Sequence, residues 1–577
     1  MLIDTNELDP QAARPTYDVC IVGSGPAGLT VAHELRGRRL RVCVLESGQA
    51  GKTEHADRLK TVRSEGEITI ADHSRERILG GTSSTWDGLS APLNPIDVEP
   101  RSWISTSGWP IDYADLSAYY AQAADRYGFP HPDLFTREHI TALRADGDYR
   151  FTWSRLTEGL LLAPTRPQRF ATLLRPYLAS LDVDVYTDAS VIELVGNSSR
   201  SAVDACEART RGDKALRLRA SVFVLAAGGI ENARLLLNSR DMCPGGLGND
   251  HDQVGRYFMN HPRNPHGIVS LGVELRHLPA YFGCLYQRKA AYIALRLDDR
   301  TQRELGVLDS YVRLEPLYPW SDVEGVQLLI NYIKSRRWLW ERLQNYKGEF
   351  AALRDYSETG DGSDMKILGG VPSLSRLLAA MLRTPRPVSQ YVFHRVLDKK
   401  TRPPVRAVRI RNFMEMEPHR DNRVMLAPER DRYGKTLALV KHSPTPLDRR
   451  SLIELHRAVG MELGAAGIGT FSSSLAEAHP WPVNEDPSHH IGATRMGRSP
   501  ATSVVDADCR LHAVPNVYVA GSSTFPTSGY ANPTYTIVAL AIRLAEHLGN
   551  VLAHRSAPPI SSEPALANTG RWRGTLA

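Results

Sequence analysis

A chain of 577 residues exceeds one ordinary core and calls for at least two intimately connected domains. Its 42% hydrophobic and 23% charged residues match globular averages, which excludes a disordered or fibrous chain for the bulk of its length. A formal net charge of +6, from 70 basic and 64 acidic residues, is too dilute to predict a nucleic-acid partner.

The N-terminal stretch MLIDTNELDP is acidic and polar where a signal peptide needs a basic start and an apolar run, and no window approaches about 20 uninterrupted apolar residues. The six cysteines (Cys20, Cys43, Cys206, Cys243, Cys284 and Cys509) are scattered, with no CxxC pair. A soluble, cytoplasmic protein is expected, with no metal site and with membrane association disfavoured.

The first apolar run, residues 17–22, reads as a buried parallel strand leading into Gly23-Ser24-Gly25-Pro26-Ala27-Gly28. A helix is predicted over 29–36, then a second strand over 41–45 that ends on Glu46, eighteen positions after Gly28. This is the order of a dinucleotide-binding βαβ unit. Gly23 suits a tight turn, Gly25 lets backbone N–H groups approach a pyrophosphate, and Gly28 allows close helix packing, while Glu46 is placed to accept hydrogen bonds from ribose hydroxyls. The motif does not separate one dinucleotide from another. A second cluster, Leu79-Gly80-Gly81-Thr82-Ser83-Ser84-Thr85-Trp86, would let the backbone pass close to a second bulky group, although alone it also reads as a surface loop.

Residues 107–125 suggest a turn and then a helix capped by Asp112 or Asp115, and residues 181–195 alternate as strands and turns. A buried strand over 221–227 ends at Gly228-Gly229, with a helix over 230–238. Residues 263–480 carry no cofactor motif. There 292–296 and 327–330 read as strands, so an antiparallel sheet backed by helices is expected. Leu374, Leu377, Leu378, Met381 and Leu382 share one helix face, and Lys334 to Leu343, with Arg336, Arg337, Trp338 and Trp340, is basic and aromatic. A membrane or partner surface would show this pattern; a helix packed on the sheet produces the same stripe and is the preferred reading. Glu415 and Glu417 share a face if their segment is a strand. Prolines and small residues predict a flexible or loosely docked tail over 556–577.

Near the C-terminus stand His489-His490-Ile491-Gly492-Ala493-Thr494-Arg495-Met496-Gly497 and Ala531-Asn532-Pro533-Thr534. Taken in order, GSGPAG with Glu46, LGGTSSTW, AAGGIENARLLL, HHIGATRMG and ANPTYTIVALA resemble the glucose-methanol-choline (GMC) oxidoreductases, closest to the pyranose-oxidase and bacterial sugar-dehydrogenase branch. The resemblance implies FAD as cofactor and an α/β plus α+β fold. A Rossmann-like FAD-binding domain would be assembled from residues 14–100, 168–262 and 484–555, with a discontinuous substrate domain over 101–167 and 263–483 built on the antiparallel sheet. It carries cofactor contacts onto Gly23, Gly25, Pro26, Ala27, Gly28, Glu46 and Ser47, and onto Gly80, Gly81, Thr82, Ser83, Thr85 and Trp86. Further contacts fall on Val191, through its backbone to the adenine, on Ala227 and Gly228, and on Gly521, Ser522, Asn532, Pro533 and Thr534.

Alcohol oxidation removes a hydroxyl proton and a hydride from one carbon, so a base must sit near the oxygen and an acceptor near the carbon. The family spacing puts the catalytic histidine three positions before Gly492, which selects His489. An imidazole with an unperturbed pKa of about 6.5 is largely neutral and proton-accepting at cellular pH. Asn532 would hydrogen-bond the same substrate oxygen and also cap a helix over 533–548 with Pro533 at its first position. His490 reads as a packed neighbour or a second substrate contact, and Glu415 as either substrate-facing or solvent-facing. Covalent-flavin members attach FAD through a histidine at the position of Thr85, so noncovalent FAD is expected. Gly521 stands where many members carry aspartate, and the pyranose-oxidase branch shares the glycine. The expected substrate is an alcohol group on a sugar, amino sugar or polyol, with oxygen or another electron acceptor. A nonredox, hydroxynitrile-lyase-like reaction is the alternative.

Overall fold

The computed structural model describes residues 1–8, 14–144, 151–275, 279–336, 373–397, 405–483 and 488–556. Strand Tyr17–Val22, helix Pro26–Glu34 and strand Val42–Leu45 form the expected βαβ unit. Val19, Cys20 and Ile21 are fully buried, as a parallel strand covered on both faces requires. The helix starts three residues earlier than expected because Pro26, whose fixed φ suits the first turn, opens it directly after Gly25.

The first sheet runs Leu2–Asp4, Val183–Thr187, Val42–Leu45, Tyr17–Val22 and Ala215–Leu225 in parallel, with Val517–Val519 also pairing on the last of these. The antiparallel strands Val203–Arg209 and Ser190–Gly196 extend it. Register decides where the site lies. Val22 pairs with Leu45 and with Leu225, and Leu225 with Val519, so Gly23, Glu46, Ala226 and Ala520 all emerge at one edge. Open parallel sheets bind ligands at that carboxyl edge.

The second sheet is antiparallel, in the order Cys284–Tyr286, Lys289–Leu297, Tyr311–Leu317, Val405–Phe413, Ile268–Leu275 and Gly469–Ser472. Leu156–Pro164 pairs on Lys289–Leu297, and Arg263–Asn264 on Val405–Phe413. Its two faces follow the period of two. Ile293, Leu295, Val312 and Ile410 pack in a core with Leu452, Leu455 and Val459 of helix Pro446–Ala465, whereas Tyr292, Ala294 and Tyr311 join the core of the first sheet.

Several expectations are corrected. Residues 327–330 lie in helix Glu324–Ser335, not in a strand. Val326, Ile330 and Ile333 are buried at i, i+4 and i+7, a helical period that a four-residue apolar window cannot display. Residues 414–417 follow strand Val405–Phe413 as irregular chain, so Glu415, fully buried, and Glu417, half-buried, do not sit on a strand face. The helix stripe also divides. Helix Leu374–Arg383 buries Leu377 and Ala380 in a small cluster with Leu328 of helix Glu324–Ser335, while Leu374, Leu378 and Leu382 are 58%, 50% and 79% exposed. Arg337, Trp338, Trp340 and the chain beyond Ser556 lie outside the described residues.

The domain boundaries are not respected everywhere. Strands Arg423–Arg430 and Thr436–Lys441 form a three-stranded sheet with Val62–Glu65, which brings part of 263–483 to the FAD-binding side. Leu2–Asp4 precedes the expected start of that side yet pairs in its sheet. Helix Thr534–Ser556 is long and apolar enough for a bilayer by composition, but Tyr535, Val538, Leu544 and Leu548 are buried in the core of the first sheet.

Candidate active site

At the carboxyl edge of the first sheet lies a cleft with about 1130 Å³ of empty space. Its lining comes from both ends of the chain: Gly23 to Ala27, Glu46 and Ser47, then Gly81 and Thr82, Ala227 and Gly228, His489 and His490, Gly521 and Ser522, and Pro533 and Thr534. A smaller cleft of about 610 Å³ shares Gly23, Ser47 and Ala227 with it and adds Val191.

The donor set fits a dinucleotide. A Cβ on Gly25 or Gly228 would meet nothing within 4 Å, so bare backbone faces open space at both turns. At Gly28 a Cβ would lie 2.0 Å from the Gly23 carbonyl oxygen, and at Gly81 2.8 Å from Gly25 Cα. The first contact locks the helix onto its turn, and the second stacks the two glycine loops. Glu46, 5% exposed, accepts from the Gly48 N–H at 2.8 Å and the Ser24 hydroxyl at 2.5 Å. Its carboxylate therefore stands fixed at the end of its strand, where ribose hydroxyls would be recognised. Ser24 Oγ also accepts from the Gly80 N–H at 3.2 Å, tying the two loops together.

Lys60, Arg75, Arg77, Glu76 and Glu231 also line the cleft, which the sequence reading missed. Burial alone would raise the Glu231 carboxyl, but Arg77, Arg234 and Arg75 outweigh it and bring it down to about 2. The run Ser74-Arg75-Glu76-Arg77 before the second glycine cluster was visible as charge; its position beside the cleft depends on the fold.

Gly28, Gly80, Ser83, Thr85, Trp86 and Asn532 lie outside the lining. Ser83 Oγ donates to the Gly80 carbonyl and accepts from the Phe170 N–H, and Trp86 Nε1 donates to the Gln168 carbonyl at 2.7 Å. Thr85 is exposed, with its hydroxyl on the Thr82 carbonyl. These contacts pin the loop. Asn532 Nδ2 donates to the Leu89 carbonyl at 2.7 Å, directly before helix Thr534–Ser556.

The histidine segment is held from two sides. Ile491 and Met259 exchange backbone hydrogen bonds, and the Gly492, Thr494 and Met496 N–H groups donate to the Ser522, Ser523 and Thr524 carbonyls. Gly492 has φ +77 and a Cβ there would lie 2.1 Å from the Tyr257 carbonyl oxygen, so only glycine permits this approach. The His489 N–H donates to Asn260 Oδ1 at 2.9 Å, and its ring stands edge-on to His261, with the two Nδ1 atoms 3.0 Å apart. His261 Nε2 lies 2.9 Å from the Gly529 carbonyl, three residues before Asn532. This residue was not singled out from the sequence. His490 is buried, packs beside Phe258, and accepts the Ser522 hydroxyl on its carbonyl at 2.7 Å.

Glu415 is corrected as a substrate contact. It is fully buried, paired with the Arg101 guanidinium at 2.5 and 2.8 Å, and accepts the N–H groups of Asp309 and Gly529. Burial would raise its carboxyl, but Arg101 outweighs this and holds it below the usual range. Both oxygens are occupied.

Residues 418–541 match the GMC oxidoreductase family model and residues 18–245 the model of FAD dependent oxidoreductases. The chain thus joins an FAD dependent oxidoreductase domain to a GMC oxidoreductase C-terminal domain. It is similar to 6'''-hydroxyparomomycin C oxidase of Streptomyces lividus, 25% identical over 95% of this chain and 94% of that one. Paromamine 6'-oxidase of Streptomyces fradiae is 24% identical, covering 93% and 92%. A fungal aryl-alcohol oxidase structure shares the fold with a TM-score of 0.54 at 14% identity, over 94% of this chain and 100% of the other. In this chain Gly521 has φ +110, a conformation that an aspartate would adopt only under strain. Glycine therefore suits the exit of strand Val517–Val519 better than aspartate would.

Proposed function

We propose that this GMC oxidoreductase oxidises an alcohol carbon of a sugar, amino sugar or polyol, with FAD held noncovalently in the cleft and His489 taking the hydroxyl proton. The observation that carries the reading is the meeting of His489 with the glycine turns and Glu46 in one cleft. Extensive alignment with relatives named for paromamine and a hydroxyparomomycin supports an amino-sugar-like substrate. FAD, when bound, supplies the hydride acceptor.

Gly25 and Gly228 offer backbone to the pyrophosphate and Glu46 holds a ribose. His489 accepts the proton at a ring nitrogen. Asn532 stands beside the cleft, ahead of its lining residues Pro533 and Thr534; with Nδ2 bonded to Leu89, its Oδ1 and second N–H would be the groups that reach a substrate oxygen. Thr85 has no ring nitrogen to bond a flavin, so acid precipitation should release all of the yellow colour into solution. The scattered cysteines, with no CxxC pair among them, support a cytoplasmic location.

The deciding experiment is anaerobic flavin bleaching over a panel of alcohols and sugars. His489→Ala should keep its flavin and lose roughly 10²–10⁴-fold in bleaching rate, the usual contribution of a general base. Bleaching at the wild-type rate would overturn the assignment.

A further inference from the structure

We infer that His261 is a positioning residue that sets the tautomer of His489, placing its hydrogen on Nδ1 and its lone pair on Nε2. The inference rests on His489 being the proton acceptor. It follows from the identity of four atoms in a row. The Gly529 carbonyl oxygen can only accept, so His261 Nε2, 2.9 Å away, carries a hydrogen. The two Nδ1 atoms at 3.0 Å need one donor and one acceptor. A neutral His261 with its hydrogen on Nε2 has the lone pair on Nδ1, which leaves the donor role to His489 Nδ1.

The surroundings keep His261 neutral. It is 4% exposed, and burial lowers its pKa to about 4 against a smaller opposing influence of Glu415. That carboxylate is itself paired with Arg101. The same residue, Gly529, donates its N–H to Glu415 and presents its carbonyl to His261, so Arg101, Glu415, Gly529, His261 and His489 form one connected series. Asn260 fixes the His489 backbone and His261 fixes its ring, two consecutive residues on one loop.

The consequence is chemical. When His489 gains the substrate proton on Nε2, its Nδ1–H becomes a charge-assisted donor to His261, so the acceptor stabilises the imidazolium. With the opposite tautomer, Nε2 would already bear hydrogen and could not act as base. The proton moves from substrate hydroxyl to His489 Nε2, and His261 neither gains nor loses one.

Two variants test this by anaerobic flavin reduction at matched flavin content. His261→Leu removes both hydrogen bonds and should slow reduction roughly 10²-fold or more, toward the rate of His489→Ala. His261→Asn also forfeits the Gly529 contact but keeps an acceptor for His489 Nδ1–H, and should recover at least tenfold over the leucine variant. Equal rates in the two variants, or a wild-type rate in His261→Leu, would overturn the inference while leaving His489 as base. A wild-type rate in His489→Ala would instead overturn the underlying reading. Should the leucine variant not fold, the asparagine variant decides alone. Reduction within about tenfold of wild type supports the assignment, and reduction as slow as in His489→Ala at full flavin content overturns it.

Discussion

The cleft floor and the second sheet solve the burial of polar groups in different ways. On the floor, bare backbone lines the cleft: Gly25 and Gly228 face open space, Gly28 and Gly81 admit close approach, and Glu46 is held by a hydroxyl and an amide. Beside the second sheet, charged side chains are buried in pairs. Arg101 and Glu415 are both fully buried, Arg411 and Glu315 are 3% and 7% exposed, and Arg313 stacks at 3.6 Å on Tyr292. A backbone-lined surface needs small residues at set places along the chain. A paired-charge surface needs only that two distant residues meet.

Arg101→Leu attacks that second device and should have the largest effect. It leaves Glu415 charged and buried, for a loss of about 3–5 kcal/mol in urea unfolding. Adding Glu415→Leu should restore part of this, because the Asp309 and Gly529 N–H groups then lose their acceptor. A single-variant loss under about 1 kcal/mol would show that the pair is not a structural requirement.

Acidification separates the two layers less violently. His456, behind the second sheet, receives the Ser473 hydroxyl at Nδ1 and bonds Asn412 Oδ1 through Nε2, and burial lowers its pKa to about 3 from an ordinary 6.5. Between those values the unfolded chain binds a proton that the folded one refuses. Its contribution is therefore complete above pH 6.5 and lost as pH falls toward 3. Unfolding at pH 6.5 and 5 should differ by about 2 kcal/mol from this group, and His456→Gln should flatten the slope. An unchanged slope would place the acid sensitivity elsewhere.

On the floor, Gly28→Ala should cost about 1–3 kcal/mol, since its Cβ meets the Gly23 carbonyl. Gly25→Ala should leave stability within about 0.5 kcal/mol while lowering flavin content of the purified protein, because its Cβ enters only the cofactor's space. Equal flavin content in wild type and Gly25→Ala would remove this turn from the binding surface. The smallest effect is expected at Leu382→Ser, within about 0.5 kcal/mol on an exposed position, against about 2–5 kcal/mol for Leu377→Ala on the buried side of the same helix.

The floor was legible because its demands are local. Gly23, Gly25, Gly28 and Glu46 belong to one strand-turn-helix-strand unit of about thirty residues, in which Gly23 and Gly28 answer steric requirements of the fold and Gly25 leaves open space. The stripe on helix Leu374–Arg383 was legible as amphipathic, but which of its leucines is covered depends on the neighbouring helix Glu324–Ser335, itself concealed in a short apolar window.

By itself the sequence determined the glycine motif and the strand-turn-helix-strand unit that carries it, because these follow from spacing along the chain. Tertiary structure alone decided that Glu415 serves Arg101, 314 residues away, and that His261 meets His489, 228 residues away. A hydrogen bond or ion pair depends on distances of a few ångströms in space, and separation along the chain says nothing about those until the two sheets have closed on one another.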